Sequence, residues 1–380
     1  MSEETNKEFI KEVVDALLQQ YTFKTMIDDE SMYVYTNNGT YIKGDPTLKM
    51  ICANMDKMRT NGKHNQLKLN IQGRTFCDRN DFITPEGFIN LKNGVLNINN
   101  LEFDNTIPND AMPELLMKSP EYNFQEEIPI QYNPNAKCPM FMKFLNEVIE
   151  NKKDIRILQK WFGYHMKHDN KHKKAVILLG AKHSGKSLTM EILEALMGVN
   201  NFSHFELCDF DNVHSHSIPS LYGKIGNTYA DMSMKLLLDI GKFKILTGND
   251  NISTRQHFKE PFNFKNYAKL TFSTNKCALV GDAVSEDEAF WDRLIIVRYN
   301  KPSYGIPDKE LAKKIISNEI SGVLNWALEG YKMAELEGFP EYKLEETKKI
   351  WADSMMGSAV EIMGKIEHKI TISENGIIQF

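Results

Sequence analysis

The chain has 380 residues, more than one ordinary domain, so two or three packed units are expected, each large enough to bury a core. Apolar residues make up 42%, charged residues 26% and aromatic residues 10% of the chain, which excludes an intrinsically disordered protein. The formal net charge of −5 excludes a whole-molecule field that draws in polyanions, so any nucleic-acid site must be a local concentration of Lys and Arg.

The apolar run Ala175 to Leu179 falls far short of the roughly 20 residues that cross a bilayer. The start, MSEETNKEFIKEVV, is acidic and polar where a signal peptide has a basic start and an apolar stretch. A cytoplasmic protein without a membrane partner is expected. Cys52, Cys77, Cys138, Cys208 and Cys277 are odd in number and form no CxxC pair, so reduced, structural thiols are expected.

Thr5 with Glu8 reads as a capping box before helically spaced Phe9, Ile10, Val13, Val14, Leu17 and Leu18. MYVYTNNGTYI predicts a hairpin turning at Asn38-Gly39, a pair that tolerates positive φ. A helix is predicted from Pro46 to about Met58, and short strands in FITPEGFINLKNGVLNINN. Residues 1–107 thus read as an N-terminal α+β domain. Pro108, Pro113, Pro120, Pro129, Pro134 and Pro139 then mark 108–139 as a linker, since missing amide donors prevent a long helix or a central strand. MFMKFLNEVIE and IRILQKWFGYHM predict a helical segment over 140–172, alternating strands and helices predict an α/β core over 173–300, and helical periodicity with mixed charge predicts a helical subdomain over 301–380.

In AVILLGAKHSGKSLTMEILEALMG, Gly180, Ala181, Lys182, His183, Ser184, Gly185, Lys186 and Ser187 form a G-x-x-x-x-G-K-S loop between a predicted strand and helix. The glycines let successive amides curl toward a phosphate, and the helix adds its positive dipole end. Lys186 is expected on the β and γ phosphates of ATP and Ser187 on Mg²⁺. Downstream, LYGKIGNTYADMSM carries Asp231 at a strand end, as a Mg²⁺ or water-activating carboxylate or as a simple helix cap. YAKLTFSTNKC delivers Asn275, to orient water or sense the γ-phosphate, or merely to close a turn. FWDRLIIVRY puts Arg293 before an apolar strand, in reach of a neighbouring subunit's γ-phosphate or of a surface partner such as Asp292 or Glu288. Between them, ISTRQHFKEPFNF predicts a hairpin with Arg255, His257 and Lys259 at its tip beside Phe258, a composition suited to single-stranded nucleic acid; a solvated charged face is the alternative.

The ordered motifs GAKHSGKS, LYGKIGNTYADMS, KILTGNDNISTRQHFK, KLTFSTN and an Arg before LIIV resemble the superfamily 3 helicases, in the phage, plasmid and poxvirus-type primase-helicase branch. GFINLKNGVLNI, IPIQYNPNAKCPMFMKFLNEV and LQKWFGYHM resemble that branch's upstream region, so the likeness spans roughly residues 30–345. It implies an AAA+-like ATPase that assembles as a homo-hexameric ring, hydrolyses ATP between subunits and moves on single-stranded and fork DNA in viral, phage or plasmid replication, within the host cytoplasm. Lys186 and Ser187 would then hold phosphate and Mg²⁺, Asp231 would be the acid of the second motif, Asn275 the sensor, and Arg293 the finger. His257 and Lys259 would be the DNA hairpin, with Lys244 before the LTG stretch. Two positions depart from the family: Ala230 stands where a second acid is frequent, and KCALVGD lacks the usual proline. Residues 1–135 match the adjoining region and leave no space for a fused primase-polymerase, so priming is expected from a separate primase or polymerase.

Two histidine groups are candidate metal sites: His165, His168 and His172, interleaved with lysines and read as a solvated basic segment, and His204, Cys208, His214 and His216. Neither has a standard zinc spacing. Trp161, Trp326 and Trp351 read as core. Two other functions stay open on the residues alone: a small-molecule P-loop kinase, and a ring-forming ATPase, a loader or defence protein, that does not unwind DNA.

Overall fold

The first helix, α1 (Glu3–Gln20), turns Ile10, Val13, Val14 and Leu17 inward at helical spacing. In the computed structural model, which describes residues 3–55, 60–99, 113–210, 217–233, 240–255, 260–301, 308–340, 344–367, 371–372 and 378–379, this face packs on β1 (Phe23–Met26) and β2 (Met32–Tyr35). Thr5 lies inside α1 and is not its cap, because the helix already begins at Glu3. β2 and β3 (Tyr41–Lys43) form the hairpin predicted around Asn38-Gly39, with Gly39 at φ +80°.

After α2 (Gly44–Ala53) comes α3 (Asn61–Thr75), which has no clear apolar period: it opens on Asn-Gly and buries only Leu67, Ile71 and Gln72. β4 (Phe76–Cys77) pairs parallel with β1, closing a sheet of order β3-β2-β1-β4. β5 (Phe88–Leu91), β6 (Gly94–Asn97) and β7 (Glu114–Leu116) make an antiparallel sheet. The described part of the proline-rich stretch is packed and is no free tether. Phe124, Ile128 and Ile130 are buried, and Ile128 N donates to Asn90 O at 2.9 Å. The prolines break regular elements, while the remaining amides still find partners.

α4 (Pro139–Val148) and α5 (Lys152–Tyr164) lead into β8 (Ala175–Gly180) and α6 (Lys186–Met197). Then follow β9 (Phe202–Ser203), α7 (Ser217–Ser220), β10 (Gly226–Tyr229), α8 (Gly241–Thr247), β11 (Asn251–Arg255), β12 (Pro261–Lys265), β13 (Lys269–Thr274), α9 (Asp282–Ser285), α10 (Glu288–Trp291) and β14 (Leu294–Tyr299). β8, β9, β10, β13 and β14 form one all-parallel sheet of order β14-β8-β13-β10-β9. Its centre is apolar on both faces, as a covered parallel sheet requires: Val176 and Leu178 join the core that holds α5 and α6, while Ala175 and Ile177 join the one that holds Phe272, Trp291 and Trp351.

α11 (Leu311–Asn318), α12 (Ile320–Glu337) and α13 (Leu344–Glu367) complete the helices. α12 lies against α5 so closely that a Cβ on Gly163 would sit 2.1 Å from Tyr331 N, and one on Gly330 1.9 Å from Gln159 O. Both Glu319 carboxylate oxygens accept from the first turn of α4, from Met140 N at 3.0 Å and Phe141 N at 3.1 Å. α4 and α5 before the sheet and α12 after it therefore share one layer, whereas Trp351 puts α13 with the core on the other face. No helix among the described residues is long and apolar enough to cross a membrane.

Candidate functional site

Gly180 ends β8, and α6 begins at Lys186, so the glycine-rich loop is a strand-to-helix turn at the carboxyl edge of the parallel sheet. Ligands bind at this edge in open α/β sheets. His183 (φ 63°) and Gly185 (φ 97°) are left-handed, which curls the loop back on itself. A Cβ at Gly180 would lie 2.4 Å from Tyr299 O, and one at Gly185 2.9 Å from the Phe144 ring; both positions need glycine for space. No side chain caps α6, which leaves the first-turn amides to a ligand.

Lys186 is buried under the loop. Its ammonium donates to Gly180 O at 2.7 Å, Ala181 O at 2.8 Å, Ser184 Oγ at 3.3 Å and Asn275 Oδ1 at 2.9 Å. Burial lowers its pKa, and the nearby Asp231 carboxylate opposes that shift. Ser187 is exposed at the second position of α6. Ala181, Lys182 and His183 are exposed along the loop, and Ser184 is buried.

Asn275 directly follows β13, which is hydrogen-bonded to β8 in parallel with Thr274 opposite Leu179. Asp231 lies two residues beyond β10, exposed and at φ 62°, with its amide 3.4 Å from Ser273 Oγ; aspartate is among the few residues that adopt this conformation readily. β10 forms despite Gly226 and Asn227 for tertiary reasons. A Cβ on Gly226 would strike the Phe202 ring at 2.4 Å. The buried Asn227 amide bridges Ser203 Oγ, Phe205 N and Phe205 O at 2.9 Å each.

Arg293 is elsewhere. It precedes Leu294, which pairs with Ala175 at the start of β8, so it stands at the opposite edge of the sheet from Gly180, roughly 17 Å away at about 3.3 Å per strand residue. Its Nη1 donates to Ala289 O at 2.6 Å, and its buried Nε has no partner. Lys244, on α8, joins this edge: its ammonium contacts Asp287 at 2.6 Å. That hydrogen bond holds the Asp287 carboxyl below its ordinary pKa, with Arg293 adding to the effect. Lys244 is thus grouped with Arg293.

β11 and β12 form the expected hairpin, with Ile252, Phe262 and Phe264 inward and Arg255 and Lys265 exposed. His257 and Lys259 lie outside the described residues. Near its turn end, β12 is held by a contact with no local sequence signal. Arg79 forks onto Asp28 at 2.7 Å and reaches Asp29 at 2.7 Å, and its guanidinium lies 5.0 Å from the Tyr222 ring centre and 4.7 Å from that of Phe262.

The histidine groups have separate surroundings. The segment from 165 is packed, correcting the solvated reading: His165 is buried with Nδ1 2.8 Å from Trp161 O, and burial pushes its pKa down to about 3. His168 pairs with Glu126 at 2.5 Å, and His172 packs against Tyr164 and Phe339. Cys208 donates to Glu206 at 3.1 Å, His204 lies beside Thr228, and His214 and His216 are outside the described residues.

Residues 48–150 match a family model described as D5 N terminal like, and residues 178–293 match a family of unknown function, DUF5906. A stretch of 83 residues is 29% identical to the uncharacterized mitochondrial protein ymf21 of Marchantia polymorpha, covering 22% of this chain and 46% of that one. The chain thus matches less than half of this relative. The fold is similar to the A form apo structure of the NrS-1 C terminal region, with TM-score 0.55 and 14% identity over 90% of this chain and 73% of that one. An apo structure of the NrS-1 C terminal region (305-718) gives TM-score 0.53 and 13% identity over 90% and 74%. The two family models match separate parts of the chain, and the likeness to the NrS-1 C terminal region is one of fold.

Proposed function

We propose that the chain is the ATP-driven motor of a superfamily 3-type DNA helicase, an AAA+-like P-loop ATPase over residues 173–300 that works as a homo-hexameric ring on single-stranded and fork DNA. The observation that carries this reading is the convergence of Lys186, which opens the helix after β8, and Asn275, which follows the adjacent parallel strand β13, at 2.9 Å beneath a loop whose helix has no side-chain cap. The curled loop and its uncapped amides fit the phosphates of ATP, with Lys186 exchanging its carbonyl partners for phosphate oxygens. Ser187 and Asp231 fit Mg²⁺, whose charge offsets that of the phosphates. Asp231 and Asn275 orient the attacking water. Arg293, far from its own loop and with an unpartnered donor, fits action on the nucleotide of a neighbouring subunit.

Arg255, His257 and Lys259 contact the single strand from the hairpin. Lys244 reaches DNA only in a state that releases Asp287. A separate primase or polymerase supplies primers, and the motor acts in the cytoplasm of the host cell.

The test is ATP hydrolysis by the wild type and Lys186→Ala, with and without single-stranded DNA. Hydrolysis stimulated by DNA and lost in the variant supports the motor. Hydrolysis indifferent to DNA contradicts it and fits a loader or defence ATPase; transfer of phosphate to a small acceptor fits a kinase.

A further inference from the structure

Where the N-terminal α/β unit meets the parallel-sheet unit, a cleft of about 580 Å³ opens between β2, β3 and the turn that precedes β10, within the roughly 300–1,000 Å³ of small-ligand sites. Tyr33 and Tyr222 line it with Gln125, and Lys43 and Lys224 bring positive charge to the same space. Tyr33 and Lys43 are direct partners across β2 and β3. The Lys224 ammonium is half-buried and donates to the backbone carbonyl of Asn200; burial lowers its pKa with no carboxylate opposing the shift. Among the described residues no carboxylate forms an ion pair with Lys43 or Lys224. A half-buried ammonium without a counter-charge is costly unless an anion completes it. Tyr41, also on the wall, is buried with a hydroxyl that has no partner.

The cleft is continuous with the hairpin. The Tyr222 ring meets Phe262 and Phe264 of β12 edge-on, at 5.4 and 5.5 Å between centres. Paired cations supply phosphate contacts; with Tyr33 buried and Arg79 lying over the Tyr222 ring, the wall offers a base an aromatic surface already backed by Arg79, and the Gln125 carboxamide as a polar partner.

We propose that this cleft is a second single-stranded DNA contact, in which Lys43 and Lys224 hold backbone phosphates and Tyr33, Tyr222 and Gln125 receive a base of the strand that the β11–β12 hairpin engages. The proposal rests on the helicase reading and adds a site outside the hairpin. An acidic segment of a partner protein is the competing occupant.

The experiment measures binding of a labelled oligo-thymidylate to the full chain across a salt series, for the wild type, Lys43→Ala/Lys224→Ala and Arg255→Ala. A second arm photocrosslinks the same oligonucleotide carrying 5-iododeoxyuridine and maps the adducts by mass spectrometry. The cleft predicts at least about tenfold weaker binding by the double variant and a salt slope shallower by about 1.4, at roughly 0.7 per single-strand phosphate contact. It also predicts adducts on Tyr33 or Tyr222, with basal ATP hydrolysis and melting temperature unchanged. Normal affinity and slope in the double variant, with adducts confined to the hairpin, overturn the cleft and leave the helicase reading standing. Absence of binding by the wild type overturns both.

Discussion

The ammonium of Lys186 donates to the carboxamide oxygen of Asn275 at 2.9 Å. Lys186 opens the helix reached from β8 and Asn275 follows β13, two strands that are neighbours in the sheet although far apart in the chain. A lysine so held has its charge in place before a phosphate arrives, and the carboxamide is within reach of whatever the lysine binds. Asn275→Ala should lower the turnover of ATP by about 100-fold, the lower end for removing one preorganised polar group, with nucleotide affinity changed less than tenfold. Steady-state hydrolysis set beside equilibrium nucleotide binding separates the two effects.

Arg293 and its neighbour Lys244 flank Asp287 at the other edge of the sheet. Arg293→Ala is expected to assemble normally and lose about 1,000-fold in hydrolysis, as removal of an arginine finger does. Mixing Arg293→Ala with Lys186→Ala subunits should restore activity at mixed interfaces. Failure of the mixture to recover hydrolysis would assign Arg293 to its own subunit.

Arg79 binds Asp28 and Asp29 while lying against Tyr222 and Phe262. Arg79→Ala takes the cation from the Asp29 carboxylate, which keeps the Ser31 amide and hydroxyl as donors, and loss of one member of a buried pair costs up to about 3–5 kcal/mol. Denaturant unfolding should show a loss of that order. Arg79→Lys should recover little of it, because an ammonium cannot fork across two carboxylates and stack between rings.

His165 is buried and held neutral, its pKa lowered from 6.5 to about 3. The unfolded chain takes up this proton below pH 6.5 and the folded one does not. Stability from this residue is therefore complete above 6.5 and falls as pH drops toward 3, at no more than about 1.4 kcal/mol per pH unit. His165→Leu should flatten that part of the acid limb, although it forfeits the contact with Trp161 O. Melting temperatures from pH 7 to pH 4 for both proteins decide this; parallel curves would show that His165 does not titrate as described.

The phosphate-type loop was legible because its eight residues are contiguous and each has a local reason: glycines for space and curvature, Lys and Ser at the helix start. The Asn38-Gly39 hairpin was legible for the same reason. β10 was harder to read, since Gly226 and Asn227 are poor strand formers alone and are selected by the Phe202 ring and by the backbone of Phe205. The company of Lys244 and the stack on Arg79 depend on segments that meet only in the folded chain. The stretch from His165 to Lys174 looked solvated because its charges are plain in sequence, while their partners Glu126 and Glu335 are remote.

Strand displacement decides whether the protein unwinds DNA. A forked duplex with a labelled strand is incubated with the wild type and with Lys186→Ala, each with ATP and Mg²⁺. The wild type should release the labelled strand and the variant should release none. Hydrolysis of ATP by the wild type without strand release, on forks of either polarity, would contradict the helicase reading.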